Sequence, residues 1–301
     1  MAEASVAVIG GSGFYQMEGL QELREVRPRT PFGPPSDAIV IGTLASQRVA
    51  FLPRHGVGHR LLPGELPVRA NIFALKTLGV EHIISISACG SLQERIAPLD
   101  LVIPDQLIDR TRGRESSFFG HGLVGHISFA DPFCPALAAV LADCAEQAGP
   151  RVHRGGTLVV MEGPAFSTRA ESQLYRSWRA SLIGMTALPE AKLAREAEIC
   201  YAAVACATDY DVWHESEEDV TVEMIVANLL KNVEVSKQIV RAAVQRLPNR
   251  DACGCSSALA TALITMPELV PEQLKRDLAP ILGKYLPASP PSLAAVAGDP
   301  R

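Results

Sequence analysis

Short apolar segments alternate with amphipathic helical patterns along most of this chain, and this alternation limits the folds open to it. Apolar or alternating runs of strand length recur at Val6–Ile9, Ala38–Leu44, Arg48–Leu52, His82–Ser87, Leu101–Ile103, Gly156–Met161, Leu182–Met185 and Ile199–Thr208. Apolar residues at helical spacing fill Asn71–Gly79, Pro135–Gln147, Pro189–Ala197 and Val220–Leu247. Strands that alternate with helices predict an α/β fold, in which helices cover both faces of a largely parallel or mixed sheet.

The length and composition favour one domain with a large core. The chain has 301 residues, and 48% of them are hydrophobic, which is ample for a single α/β domain. We assign residues 1–287 to this domain. Residues 288–301 are rich in Pro and Ala, so we expect them to form a flexible C-terminal tail.

Charge and hydropathy exclude several classes of partner. The net charge is -5 and no basic stripe is present, so we expect no nucleic-acid partner. No apolar run reaches the length of about 18 residues that a membrane helix needs. The N-terminal segment lacks the basic start and long apolar core of a secretion signal. The sequence therefore predicts a cytoplasmic protein.

Seven cysteines are scattered along the chain. Their spacing shows no CxxC pair and no grouping with histidine of the zinc-binding type, so no metal site is predicted. Most of them are expected to be buried thiols that pack as small hydrophobes. Cys253 and Cys255 are the exception, because the glycine between them permits a tight and redox-labile disulfide.

Three strand ends carry residue types that suit an anion. After the first strand, glycines around Ser12 let backbone N–H groups approach an oxygen atom, and the serine hydroxyl adds a donor. Arg54 can hold a phosphate through two N–H groups, and His55 can add another donor. Ser87 and the backbone N–H of Ala88 can complete the pocket. Each motif alone fits an ordinary turn equally well, so only their combination predicts a phosphate site.

Two carboxyls stand close together at the end of the last apolar segment. Strand alternation would point Asp209 and Asp211 to the same side. Because adjacent carboxylates repel, one of the two is expected to have a raised pKa and to keep a proton. A protonated carboxyl can donate to a purine N7, while the other can accept from an exocyclic amine. Two aspartates in a solvated turn are the alternative, which the apolar run before them disfavours.

Two further side chains could contact a flat base and its sugar. Phe166 lies in a Gly/Pro turn, where an exposed ring could stack on a heterocycle. Met185 follows an apolar segment and could pack against a ribose. Ordinary core packing is the alternative for both.

Taken in order, eleven segments from Val6 to Gln245 resemble the purine nucleoside phosphorylase family with trimeric subunits, and most of all its members that act on 5'-methylthioadenosine. The matching segments are GGSGF, TPFGPPSD, RHGVGH, RANIFALK, ACGSL, DQLIDRT, DPFCP, EGPAFSTRAES, GMTALPEAKLARE, ICYA and ATDYDVW. The resemblance implies a single-domain α/β fold with a distorted mixed barrel, phosphorolysis of an N-glycosidic bond in purine and methionine salvage, and a homotrimer or a pair of trimers.

The resemblance also implies roles for individual residues. Phosphate, the co-substrate, would be bound by Ser12, Arg54, His55, Ser87, Ala88 and Thr186. The nucleoside would be bound by Phe166, Ser167, Met185, Asp209, Asp211, Val222, Ile225 and, from a neighbouring subunit, His126. Asp209 would be the catalytic acid, and no metal or organic cofactor would be needed. A likeness to archaeal relatives further suggests disulfides, including one between Cys134 and Cys206.

Two features favour a 6-amino, 5'-alkylthio substrate. A carboxylate at Asp209 cannot donate to a 6-oxo group unless it is protonated, whereas it can accept from a 6-amino group. Val222 and Ile225 offer apolar surface, on which an unpaired 5'-hydroxyl would cost about 1–3 kcal/mol. A broader purine nucleoside phosphorylase and a methylthioinosine phosphorylase remain alternatives. A non-catalytic nucleoside-binding protein is a remote one. A Rossmann dehydrogenase is disfavoured because Gln16 replaces the third glycine of its fingerprint.

Overall fold

The computed structural model describes residues 2–11, 17–214 and 222–288, apart from the side chains of Val222, Met224, Ile225 and Leu229. The strands are β1 Val6–Gly10, β2 Gln21–Val26, β3 Ile39–Leu44, β4 Gln47–Pro53, β5 His82–Ser91, β6 Leu101–Ile103, β7 Gln106–Arg110, β8 Val152–Arg154, β9 Thr157–Met161, β10 Leu182–Gly184 and β11 Cys200–Asp209. The helices are α1 Val68–Thr77, α2 Pro135–Gln147, α3 Arg169–Ser177, α4 Ala187–Glu196, α5 Val222–Ala243, α6 Glu272–Asp277 and α7 Ala279–Leu282.

The strands form one mixed sheet that branches at β5. Its main path runs in the order β2-β3-β4-β1-β5-β10-β9-β7. Strand β11 pairs with β5 in parallel and with β6 in antiparallel orientation, and β6 in turn pairs with β8. The predicted mixed sheet flanked by helices is confirmed. The expected barrel is only approximate, because the described strands branch and do not close into a strict barrel.

Strand β11 is buried along its whole length and separates two apolar clusters. Side chains alternate across a strand, so one set lies in the cluster that also contains residues of α1 and α4, and the other in the cluster with α2 and α5. Tyr201 and Ala203 belong to the first set, whereas Ala202 and Val204 belong to the second. The many small residues of β11 let helices pack closely on both of its faces.

Several elements differ from the sequence-based expectation. The strands β2, β7 and β8 carry exposed or mixed residues and were not predicted by an apolar pattern. Helix α3 was also missed, although Thr168 and Glu171 form a capping box at its start, which is a recognisable helix signal. The described part of the long C-terminal helix is α5, and it ends at Ala243 rather than Leu247. Residues 289–301 lie outside the described part, so the tail remains a prediction.

The expected disulfide between Cys134 and Cys206 is not present. All seven cysteines are free thiols. Cys200 and Cys206 are six residues apart on β11, which corresponds to about 20 Å along an extended strand. Cys134 lies near Cys200, at the start of that strand, whereas the Sγ atom of Cys206 contacts the Oγ atom of Ser236 at 3.6 Å. Cys253 and Cys255 are not bonded to each other either. None of the described helices is both long and apolar enough to span a membrane.

Candidate active site

The ends of several strands meet at one cavity of about 300 Å³. Such a volume is within the usual range for sites that bind small ligands. The lining comes from the ends of β5, β9, β10 and β11, from the turn after β4 and from α5. It includes these predicted residues: Arg54, His55, Ser87, Ala88, Phe166, Ser167, Met185, Thr186, Asp209 and Asp211.

Four predicted residues are not placed in this cavity. Ser12 and the side chains of Val222 and Ile225 lie outside the described residues. His126 is exposed on a loop, does not line the cavity of its own chain, and donates its backbone N–H to the carbonyl oxygen of Ala262 at 2.8 Å. The expectation that His126 reaches a neighbouring subunit's site therefore stays a prediction.

Arg54 is buried at the cavity and is held by contacts from three elements, β1, β5 and α4. Its Nε donates to Glu190 at 2.5 Å, and its Nη2 donates to Ser85 Oγ at 2.7 Å and to the second oxygen of Glu190 at 3.2 Å. Its Nη1 donates to the carbonyl oxygen of Ile86 at 3.0 Å. Nη2 also lies 3.4 Å from the carbonyl oxygen of Ile9, so of the five N–H donors of a guanidinium one Nη1 hydrogen has no partner among the described residues.

Glu190 was missed by the sequence reasoning, although it decides the state of Arg54. It is buried at the start of α4 and also accepts from the hydroxyl of Tyr201 at 3.0 Å. Burial acts to lower the pKa of Arg54, but the charge and the hydrogen bonds of Glu190, together with smaller effects of Tyr201 and Cys89, raise it above its ordinary value. Arg54 is therefore a fixed positive charge. The only sequence signal for Glu190 was a carboxyl on the apolar face of a predicted helix.

The ring nitrogens of His55 differ in role from the expectation that this residue donates a hydrogen bond to phosphate. Its Nδ1 lies 2.8 Å from the carbonyl oxygen of Leu61. A carbonyl can only accept, so Nδ1 carries the proton. Burial, joined by the charge of Arg54, lowers the pKa of His55 to about 4, so the imidazole is neutral and Nε2 is an acceptor. His55 can then bind a protonated phosphate oxygen or a hydroxyl, rather than donate to a phosphate oxygen as expected.

Ser87 and Thr186 bring two hydroxyls together beside Arg54. Their oxygen atoms are 3.3 Å apart. Thr186 precedes α4, but its side chain does not cap that helix. One of these hydroxyls donates to the other, which leaves the proton of the second hydroxyl available to an anion in the cavity that both residues line.

Asp209 and Asp211 line the same cavity, and Asp209 pairs with Gly90, four residues beyond the Ile86 carbonyl that Arg54 contacts. They converge through a turn and not by strand alternation, because β11 ends at Asp209 and Asp211 has a φ of 55°. The left-handed conformation of an aspartate is tolerated in such turns. The Asp209 carboxylate accepts from Thr208 Oγ1 at 2.7 Å and from the backbone N–H of Asp211 at 2.8 Å. Gly90 leaves room for the pair, since a Cβ atom there would lie 3.0 Å from Asp209 Oδ1.

The environments of the two carboxyls are unequal. The Asp209 carboxyl accepts two hydrogen bonds, one at each oxygen atom. The pKa of Asp211 is raised by burial and by the charge of Asp209, against the opposing effect of the Ser172 and Ser167 hydroxyls. Closely interacting carboxyls titrate as a pair, so we treat the extra proton as belonging to both residues.

Phe166 and Met185 also line the cavity. The ring of Phe166 is 45% exposed although it lines the cavity, which excludes ordinary core packing and leaves its face open to a ligand. Met185 packs against the turn after β9, where a Cβ atom on Gly163 would lie 2.6 Å from its sulfur. Ser167 contacts Met161 through Oγ and Sδ at 3.8 Å.

A second buried arginine fixes the walls around Met185. Arg114 donates through Nη1 to the carbonyl oxygens of Met185 at 2.7 Å and Leu188 at 2.8 Å, and its Nε pairs with Glu162. These contacts join the loop after β9 to the start of α4. No sequence pattern indicated this role for Arg114.

Comparisons with known proteins decide the family. The sequence profile of the Phosphorylase superfamily matches residues 5–245. The chain belongs to the Phosphorylase superfamily. It is 60% identical to S-methyl-5'-thioadenosine phosphorylase of Gloeobacter violaceus, with 94% of this chain and 96% of the relative covered. It is 56% identical to the enzyme of the same name from Geobacter sulfurreducens, with 94% and 100% covered.

Solved phosphorylase structures share the fold of this phosphorylase. A methylthioadenosine phosphorylase from an antarctic soil metagenomic library superposes with a TM-score of 0.89 at 49% identity, covering 94% of this chain and 100% of the other. A mutant adenosine/methylthioadenosine phosphorylase from Schistosoma mansoni in complex with adenine gives a TM-score of 0.81 at 36% identity, covering 87% and 100%.

Removing the carboxylate of Glu190 should destabilise this phosphorylase strongly. Glu190→Ala would leave Arg54 buried and unpaired, and breaking a buried ion pair in this way costs about 3–5 kcal/mol. Glu146→Ala, which breaks an exposed arginine–glutamate pair with Arg154, is the matched control and should cost far less. Urea unfolding of both variants measures the difference. Equal losses would show that Arg54 does not depend on Glu190.

His55 should make the stability of the protein depend on pH. Its folded pKa of about 4 lies below its ordinary value of 6.5, so the unfolded chain takes up a proton first as pH falls. The free energy of unfolding should therefore decrease between about pH 6.5 and pH 4 through this group, and His55→Gln should reduce that slope. NMR of the ring nitrogens should find a neutral Nδ1–H imidazole at pH 6. A cationic imidazole at that pH would contradict the assignment.

Proposed function

We propose that this phosphorylase cleaves 5'-methylthioadenosine with inorganic phosphate to give adenine and 5-methylthioribose 1-phosphate. The observation that carries the proposal is that one cavity is lined both by Arg54 and by the carboxyls of Asp209 and Asp211. Arg54 contacts β5 at Ile86, whereas Asp209 pairs with Gly90, four residues farther along that strand, so the cavity has a cationic end and an acidic end. Phe166 lines the same cavity. The names of the relatives support the same reaction.

At the cationic end, Arg54 supplies a fixed positive charge and one Nη1 donor for phosphate. The hydroxyl pair of Ser87 and Thr186 and the backbone N–H of Ala88 supply further donors, and Ser12 is proposed to add another. Neutral His55 accepts from a protonated phosphate oxygen through Nε2. A charge held by these fixed donors orients the phosphate for attack without further reorganisation of the site.

At the acidic end, the carboxyl pair activates the leaving base. As the bond between C1' and N9 stretches, the ribose gains oxocarbenium character and the purine gains electron density. Asp209 is the proposed acid that delivers the proton of the pair to N7, while the other carboxyl accepts from the 6-amino group. The C1'–N9 bond breaks, a phosphate oxygen forms the new bond to C1', and the base leaves as neutral adenine.

The substrate class follows from the polarity of the walls. An aspartate pair suits a 6-amino purine, because an ionised carboxylate accepts from the amine and would repel a 6-oxo group. Val233 adds an apolar wall from α5, and Val222 and Ile225 are proposed to extend it around the 5'-methylthio group.

The remaining expectations are part of the same proposal. The reaction needs no metal or organic cofactor, since phosphate is the nucleophile and the aspartate pair is the acid. The assembly is a homotrimer or a pair of trimers in the cytoplasm, in which His126 of one subunit closes the site of its neighbour.

Replacing Asp209 should reduce turnover far more than stability. Asp209→Asn keeps the size of the side chain but removes the transferable proton, so kcat should fall by about 10²–10⁴-fold. Steady-state rates and urea unfolding measure the two effects. Near-normal turnover would remove Asp209 from the role of acid.

The Asp211→Asn variant tests which of the two carboxyls holds the proton of the pair. If the proton of the pair resides on Asp211, this variant loses the alkaline limb of the pH profile of kcat/KM. If Asp209 holds it, the limb persists and only substrate affinity falls.

Adenine release tests the proposed reaction directly. The assay measures adenine from methylthioadenosine with and without phosphate, with inosine as the comparison substrate. Phosphate-dependent release with little action on inosine is expected. Strong inosine cleavage would indicate a broader purine nucleoside phosphorylase, and release without phosphate would indicate a hydrolase. Binding without cleavage would indicate a nucleoside-binding protein.

A further inference from the structure

Four cysteines that are distant in sequence meet at the end of β11 opposite the active site. The Sγ atoms of Cys134, Cys200, Cys253 and Cys255 all lie within 4.8 Å of one another, and those of Cys200 and Cys253 are 3.5 Å apart. Three of the four residues are buried and Cys253 is half-buried. Sequence spacing could not reveal this cluster, because its members come from three separate segments.

The spacing of the thiols fits a tetrahedral metal ion. Zinc binds thiolates at about 2.3 Å, so the sulfur atoms of a tetrahedral site lie about 3.8 Å apart. The four cysteine sulfurs need only small shifts to reach these positions. A site with four protein ligands is closed to further ligands and is typical of structural rather than catalytic zinc.

The surrounding backbone holds the ligands in place. Cys134 directly precedes α2 and donates its N–H to the carbonyl oxygen of Tyr201 at 2.8 Å, which fixes it beside the start of β11. A helix N-terminus stabilises a thiolate. His82, the register partner of Cys200, lies 3.1 Å through Nε2 from the carbonyl oxygen of Pro248. Arg250 donates to the carbonyl oxygen of Glu198 at 2.6 Å. The segment that carries Cys253 and Cys255 is thereby anchored to the sheet.

We propose that Cys134, Cys200, Cys253 and Cys255 bind one Zn²⁺ ion as a closed structural site. On binding, the four S–H bonds lose their protons to solvent and four Zn–S bonds form. The ion joins the segment after α5 to the start of β11 and to α2. Asp209 is nine residues away along β11, about 30 Å in an extended strand, so the ion takes no part in the cleavage reaction.

Metal content of the full-length protein tests the site. The protein is purified without chelators from cells supplied with zinc, and its metal is measured by mass spectrometry. One zinc ion per chain is expected. Protein stripped by a chelator under reducing conditions and reloaded with Co²⁺ should show thiolate-to-cobalt charge-transfer absorption. Its Tm should fall on stripping and recover with Zn²⁺.

Matched variants locate the ion. Cys253→Ser alters the most exposed of the four ligands and should lower zinc content from one ion per chain to none after dialysis. Cys144→Ser, which changes a buried cysteine outside the cluster, should keep the ion. If Cys253→Ser does not fold, the cobalt spectrum of the unaltered chain still decides.

Two results would overturn the proposal. One is an unaltered chain that takes up no stoichiometric Zn²⁺ or Co²⁺ under reducing conditions. The other is a thiol titration of the freshly isolated, denatured and unreduced chain that finds four fewer free thiols than its seven cysteines, which would indicate disulfides. Neither readout depends on catalysis, so a failure here is distinct from a failure of the proposed reaction.

Discussion

The buried ion pair of Arg54 and Glu190 is the interaction on which the rest of the site depends. The guanidinium contacts Ser85 and the carbonyl oxygen of Ile86 on β5, while the carboxylate accepts from Tyr201 on β11. Burying both charges costs several kcal/mol per ion before pairing. The pair contributes little net stability, but it fixes β4, β5, α4 and β11 in one arrangement. That arrangement sets the distance between Arg54 and the carboxyls of Asp209 and Asp211 in the cavity.

Much of the fold could be predicted because its strands are buried. The run at β1 and all of β11 up to Ala207 are free of charged and amide side chains, which is the pattern of strands covered on both faces. Strand β5 is mostly buried as well, but it includes serines and a histidine. The edge strand β2 has no such pattern, since its residues are exposed. Its pairing with β3 depends on backbone hydrogen bonds, which carry no side-chain signal. The branch at β5 is likewise a matter of long-range pairing and register.

The residues of the candidate site likewise fall into those that the sequence predicts and those that it does not. Arg54, Ser87 and Asp209 follow buried strands, and residues at strand ends in an α/β sheet meet at one edge. Glu190 and Arg114 were missed, because a charged residue within a helix or a loop usually faces solvent. Only the packed structure shows that they are enclosed. The direction of the hydrogen bonds at His55 was also unpredictable, since it depends on the position of a carbonyl oxygen six residues away.

Strand β11 shows how one element can serve catalysis and stability at opposite ends. Its carboxyl end places Asp209 in the cavity, and its first residue, Cys200, lies in the cysteine cluster. The small residues between them let α4 pack on one face and α5 on the other. Any displacement of the strand along its axis would move both ends together. Holding its start against α2 and the segment after α5 therefore also holds Asp209 in position relative to Arg54. The four thiols and the buried ion pair thus restrain the same strand, one at its start and the other through Tyr201.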